Sequence, residues 1–306
     1  MAAKAQIALH LGAHKTGTSL LQKYLEVRTD EVAKMRVAVI TRSQSSDLLG
    51  WGEPVRQHPE RLRHALIAAG KPRGDRAGKR KLSRAAAALL RRPATVILSN
   101  ENALGRPFTE GVPGLYPNAA DCADALARSV GDLEPRVVYY LRSQEQFLES
   151  YYLQTVHQGG TATFADWYSK LDPSAVSWVP VIEAIVNAFG PDRLVLRDFE
   201  EIRAGQNAFI EAFLRSCDPR LSPTVDYSAL RNISISQRGL DLALAMNPLL
   251  ESSKERHQVR VFLQRHFNNT TSPRPILLSD IEKDDLRDRF AAENRDLIRR
   301  YGGSRD

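Results

Sequence analysis

Short apolar runs alternate with amphipathic stretches through the first two hundred residues. Ile7–Leu11, Val37–Thr41, Thr95–Ser99, Val137–Leu141 and Leu194–Arg197 read as strands. Most are nearly continuous in Val, Ile and Leu, as strands buried on both faces are. Between them, Ser19–Val27, Glu60–Ala69, Ser83–Arg91, Ala120–Val130 and Gln144–Val156 carry apolar residues at helical spacing. Strands alternating with helices predict the α/β class, with a mostly parallel, doubly wound sheet. From residue 204 the pattern is helical, over Asn207–Leu214, Gln237–Met246, Arg256–Phe267 and Asp280–Tyr301. The expected organisation is a single domain, with an α/β core over about 5–200 and a helical flank over about 204–302. Irregular chain is expected over Ser43–Pro59, Gly70–Lys81, Gly105–Asn118 and Asn268–Pro275, the second and third beside the cleft. No internal repeat is present.

The first strand runs into His14-Lys15-Thr16-Gly17-Thr18-Ser19 and then into a helix. A strand, a glycine-containing loop and a helix in that order build an anion site, because loop amides and the unpaired N–H groups of the helix start converge there. Gly12-x4-Gly17-Thr18-Ser19 has the glycine spacing of a nucleotide triphosphatase P-loop, but Thr18 stands where that loop needs Lys. The lysine here is Lys15, before the second glycine. Thr18 and Ser19 could also serve as a helix N-cap.

The string from His14 to Ser19 resembles the 5′-phosphosulfate loop of sulfotransferases that use 3′-phosphoadenosine 5′-phosphosulfate (PAPS). Their fold is related to that of P-loop kinases. In that family a strand ends in an Arg for the 3′-phosphate, and a Ser eight residues later serves the same group. Here Arg142 closes Val137–Leu141, and Ser150 follows at that distance. Ser99-Asn100-Glu101-Asn102 is similar to the Ser-x-Glu after an inner strand of bacterial members. Asn232-Ile-Ser234-Ile-Ser236, Met246-Asn247 and Phe290–Asn294 resemble their closing segments, so the likeness runs from about residue 6 onward.

The resemblance implies PAPS as co-substrate and no metal. Lys15 would be the cation at the transferring group, with Thr16, Gly17, Thr18 and Ser19 on the 5′-phosphate and Arg142 and Ser150 on the 3′-phosphate. Two candidates for the general base stand open. Glu101, at the end of a buried strand beside an anionic cofactor, is one; His14, next to Lys15 and titrating near neutrality, is the other. His10, inside the first strand, reads as structural. Trp51, Trp167 and Trp178 are candidates for stacking on adenine or a sugar.

Formal charge is +7, and 33 of the 43 basic residues are Arg, so anionic partners are favoured. Lys71, Arg73, Arg76, Lys79, Arg80, Lys81 and Arg84 form a basic run that would attract an anionic acceptor or simply be solvated. The acceptor is expected to be a glycan, a lipid or a small molecule, and nucleic acid is not. Cys122 and Cys217 are far apart and outside metal-type spacing, which suits small apolar fillers in a reducing cytoplasm. No apolar run approaches the ~20 residues of a membrane span, and the first strand begins at residue 6, so a cytoplasmic bacterial enzyme is expected. A P-loop kinase is the main alternative. A basic nucleic-acid-binding protein is another, although no matching motif is present.

Overall fold

The computed structural model describes residues 5–71, 93–109, 111–228, 234–270 and 272–302. Five strands form one sheet: β1 (Gln6–His10), β2 (Val37–Ile40), β3 (Thr95–Ser99), β4 (Arg136–Leu141) and β5 (Leu194–Asp198). Their spatial order is β2-β3-β1-β4-β5, and every neighbouring pair is parallel. β1 is central, with Gln6 to His10 opposite Thr95 to Ser99 on one side and Ala8 to His10 opposite Arg136 to Val138 on the other. The chain passes from β3 across β1 to β4, which opens a crevice at the carboxyl ends of β1 and β4.

Both faces of the sheet are covered. Helix α1 (Thr18–Val27) and a later helix at Gln206–Cys217 bury Leu21, Tyr24, Leu25, Phe209, Ile210 and Phe213 with Ala8, Ile97, Val138 and Tyr140. α2 (Thr29–Lys34) adds Val32. α5 (Pro59–Ala69) packs on β2 and β3 and α9 (Val179–Phe189) on β5, with α6 (Ala119–Val130) against both helices. The doubly wound α/β class is therefore as the strand and helix pattern predicts.

One sequence reading is corrected. Ser43–Pro59 is not irregular, since α3 (Arg42–Leu49) and α4 (Glu53–Gln57) occupy most of it. α3 has little apolar character, but it starts from a capping box in which Thr41 and Gln44 satisfy each other's backbone N–H groups. α9 has apolar residues nearly all round, and Pro180 in its first turn begins the helix rather than breaking it. The helix at Ser83–Arg91, Asn232, and the basic run from Arg73 to Arg84 lie outside the described residues.

Contacts divide the chain into two units. The first comprises Met1–Arg142, Trp178–Ala229 and Glu293–Asp306 and contains the sheet. Helix α10 (Gln206–Cys217), expected as part of a helical flank, packs in this unit on β1 and β4. The second unit comprises Ser143–Ser177 and Leu230–Ala292. Its helices are α7 (Gln144–His157), α8 (Phe164–Tyr168), α11 (Gln237–Met246), α12 (Ser253–His266) and the first part of α13 (Asp280–Tyr301). Tyr152, Val156, Ile235, Leu240, Ala243 and Leu263 form its core. Asn247 braces it, donating at 2.8 Å to the carbonyls of Val156 and Gly160. No described helix is long and apolar enough to cross a membrane.

Candidate active site

The loop after β1 is built to leave its backbone donors open. Lys15 has φ 65° and Gly17 φ 80°, two left-handed residues that turn the chain into α1. A Cβ at Gly17 would lie 3.0 Å from Phe209 and 3.1 Å from Phe199, so a side chain there has neither room nor a relaxed backbone. Gly17 is the N-cap of α1 and brings no side-chain acceptor, and the first turn holds no acidic residue. Among the described residues, the successive N–H groups of Lys15, Thr16, Gly17, Thr18 and Ser19 meet no acceptor. Open donors at a loop and helix start of this kind favour an anion.

The side chains divide the work. Thr16 is fully buried and donates its hydroxyl to the Ala13 carbonyl at 2.6 Å, so it braces the loop from inside. Thr18 does not cap the helix. Its Oγ1 is buried without a hydrogen-bond partner, which is costly unless a ligand supplies one. Ser19 is exposed. Burial and the nearby Arg142 guanidinium lower the Lys15 pKa from 10.5 to about 8, with Glu101 partly opposing them.

Arg142 follows β4 and points at the same loop, with Nη1 donating to the Lys15 carbonyl at 2.7 Å. Its guanidinium lies over the Phe199 ring at 4.9 Å, and its own carbonyl accepts from Trp178 Nε1 at 2.8 Å. Trp178 is completely buried, which removes it from the stacking candidates. Trp167 packs with Tyr152 and Phe164 in the second unit. Ser150 is on α7 of that unit, half-buried, and its hydroxyl makes no hydrogen bond among the described residues.

Glu101 follows β3 and is 7% exposed. Arg42 Nη1 donates to its Oε1 at 2.7 Å, and Gln22 Nε2 to its Oε2 at 3.2 Å. Gln22, on α1, also reaches the Ser99 carbonyl at 3.1 Å. Asn100 shapes the turn beneath, accepting from the Asn102 N–H at 3.0 Å and donating to Ser45 Oγ at 2.9 Å.

His14 is held on three sides. Its Nε2 lies 3.0 Å from Asn102 Oδ1, which can only accept, so Nε2 carries the proton. Nδ1 then accepts from the Tyr116 hydroxyl at 2.7 Å, and that hydroxyl accepts in turn from the His14 backbone N–H at 2.9 Å. Trp51 stacks on the ring at 5.5 Å and 9°. Burial, with Lys15 and Arg42 nearby, lowers the His14 pKa to about 4 even though the Asn102 bond raises it. His10 beneath the loop is lowered to about 3 by burial alone. Its Nδ1 meets Ser99 Oγ at 2.9 Å.

The first unit thus brings together Lys15, Thr16, Gly17, Thr18, Ser19, Arg142, Glu101 and His14. Arg42, Gln22 and Tyr116 join them without having been singled out in the sequence, as does Asn102, quoted there only as part of the Ser99–Asn102 string. Among the described residues no group of three metal-ligating side chains is present.

No family model and no curated protein matches the chain. Among solved structures, a sulfotransferase from Alicyclobacillus acidocaldarius is similar at a TM-score of 0.40 and 14% identity, over 85% of this chain and 96% of that one.

Proposed function

We propose that the chain is a bacterial cytoplasmic sulfotransferase that moves the sulfuryl group of PAPS to a hydroxyl or amine of a carbohydrate, lipid or small-molecule acceptor. One observation carries the reading: five successive N–H groups are open at the start of α1, while the lysine stands before the second glycine and a buried Thr18 hydroxyl replaces the P-loop lysine. The orphaned Thr18 Oγ1 fits a phosphate oxygen against the loop.

The amides from Lys15 to Ser19 and the Thr18 hydroxyl would hold the 5′-phosphate, with Arg142 and Ser150 serving the 3′-phosphate. PAPS supplies the sulfuryl group and a phosphate leaving group. Lys15 would stay beside the bridging oxygen and balance the charge gained there as the S–O bond breaks. Glu101 would take the acceptor's proton as the new S–O bond forms. Its two hydrogen bonds leave lone pairs free on both oxygens. Both His14 ring nitrogens are engaged and the ring resists protonation, which favours Glu101 as the base and His14 as a strut under the loop.

The test is a thermal-shift titration with adenosine 3′,5′-bisphosphate beside ATP and ADP, since a ligand stabilises in proportion to the logarithm of its concentration over Kd. Stabilisation by the bisphosphate and not by ATP is the expected result. Stabilisation by ATP alone replaces the reading with that of a kinase.

A further inference from the structure

Resting on the sulfotransferase reading, we infer that Arg42 and Arg106 form an anion-recognition pair for the acceptor. The acceptor is therefore a hydroxyl compound that carries a carboxylate, sulfate or phosphate group. Arg42 touches Glu101 through one nitrogen only, Nη1, while its side chain is 53% exposed. Nε and Nη2 form no hydrogen bond among the described residues. A guanidinium presents its donors as a planar fork, so one edge can hold Glu101 while the other takes two oxygens of an anion. An acceptor bound that way has its hydroxyl carried alongside the carboxylate that would deprotonate it.

Arg106 completes the pair from the Gly105–Asn118 loop. It is exposed, and its guanidinium sits 4.6 Å from the centre of the Trp51 ring. Stacking occupies its face and fixes its position, leaving the in-plane N–H donors for a ligand. Among the described residues these donors make no hydrogen bond. The two arginines share one neighbourhood. Trp51 stacks on His14, whose ring also senses the Arg42 charge. Lys15 and Arg142 are assigned to the phosphosulfate loop, which leaves Arg42 and Arg106, among the described residues around His14 and Trp51, to meet the second substrate.

The experiment uses the full chain saturated with adenosine 3′,5′-bisphosphate, titrated with methyl glucuronide and glycerol 3-phosphate beside methyl glucoside and glycerol, and read by ligand-observed NMR. At least one charged probe should bind about tenfold or more tightly than its neutral partner, the worth of one charge-assisted contact. Arg42→Gln and Arg106→Gln should each remove that preference, while stabilisation by the bisphosphate stays as in the parent protein. No binding of either charged probe, equal binding of the neutral partners, or insensitivity to both substitutions overturns the inference. Failure of the sulfotransferase reading shows separately, as no stabilisation by the bisphosphate. The charged probes are then titrated alone, and their dependence on the two arginines still decides whether the anion pair exists.

Discussion

Arg142 Nη1 donates to the Lys15 carbonyl oxygen at 2.7 Å, so the residue that follows β4 fixes the backbone of the loop that follows β1. Arg142→Ala should therefore weaken binding of adenosine 3′,5′-bisphosphate on two counts, by removing a cation and by releasing the loop. Lys15→Ala leaves that bond in place because it uses the main chain. It should lower turnover by about 10²–10³-fold, the worth of one contact to developing charge, with a smaller change in bisphosphate affinity. Steady-state kinetics beside calorimetric binding separates the two variants, and equal losses in both quantities for both would refute the division.

Thr18→Val makes a sharper test of the loop. The Oγ1 it removes is buried and unsatisfied in the free protein, and the replacement has the same shape. Melting temperature without ligand should hold or rise, because an unpaired buried hydroxyl costs about 1–3 kcal/mol. Bisphosphate affinity should fall. A drop in both would show that Oγ1 has a structural partner.

Glu101→Gln should abolish turnover and leave bisphosphate affinity nearly unchanged. The amide keeps the oxygen that Arg42 needs but cannot accept a proton as a carboxylate does. Full activity in this variant would sink the assignment and return the role to His14.

Lys15 gives the site a pH signature. Its pKa near 8 in the free protein should rise when an anion arrives, since opposite charge favours the ammonium. Binding at pH 8.5 should take up most of one proton, and affinity should fall as pH climbs past 8. Calorimetry in two buffers of different ionisation enthalpy reads the uptake directly, and Lys15→Ala should erase it.

His10 and His14 set the acid limit. Both are held neutral by burial, with folded values near 3 and 4 against 6.5 unfolded. Below pH 6.5 the unfolded chain binds protons that the folded chain refuses, so stability falls as pH falls. The slope is about 1.4 kcal/mol per pH unit for each histidine. It persists to about pH 4 for His14 and lower still for His10. Chemical denaturation at pH 7, 6 and 5 should show it, and a flat profile would mean the rings are protonated in the native state.

The sheet was legible because its strands are short, Val- and Ile-rich and bounded by polar residues. Every expected strand agrees with the structure to within about one residue at each end. The turn from β1 into α1 was legible for a related reason: glycine spacing is local. Arg42 was not. It lies in a polar segment whose one start signal is the Thr41–Gln44 capping box, and its partner Glu101 is 59 residues away. Tyr116 is 102 residues from His14 and sits in irregular chain, where periodicity carries no information. Local chemistry can be read along a sequence, but a hydrogen bond between two loops depends on how the sheet brings them together.

Gln22 has one further consequence. It stands one turn beyond Thr18 on α1, and its amide ties that helix to the Ser99 carbonyl and the Glu101 carboxylate. Four residues at 1.5 Å each make the helix a ruler of about 6 Å from the end that would grip the donor to the point that steadies the base. The spacing between giver and taker would then be set by helical pitch, a quantity no loop movement can alter. A single residue inserted between Leu20 and Gln22 would swing the amide by about 100° and leave both halves of the site intact but out of register.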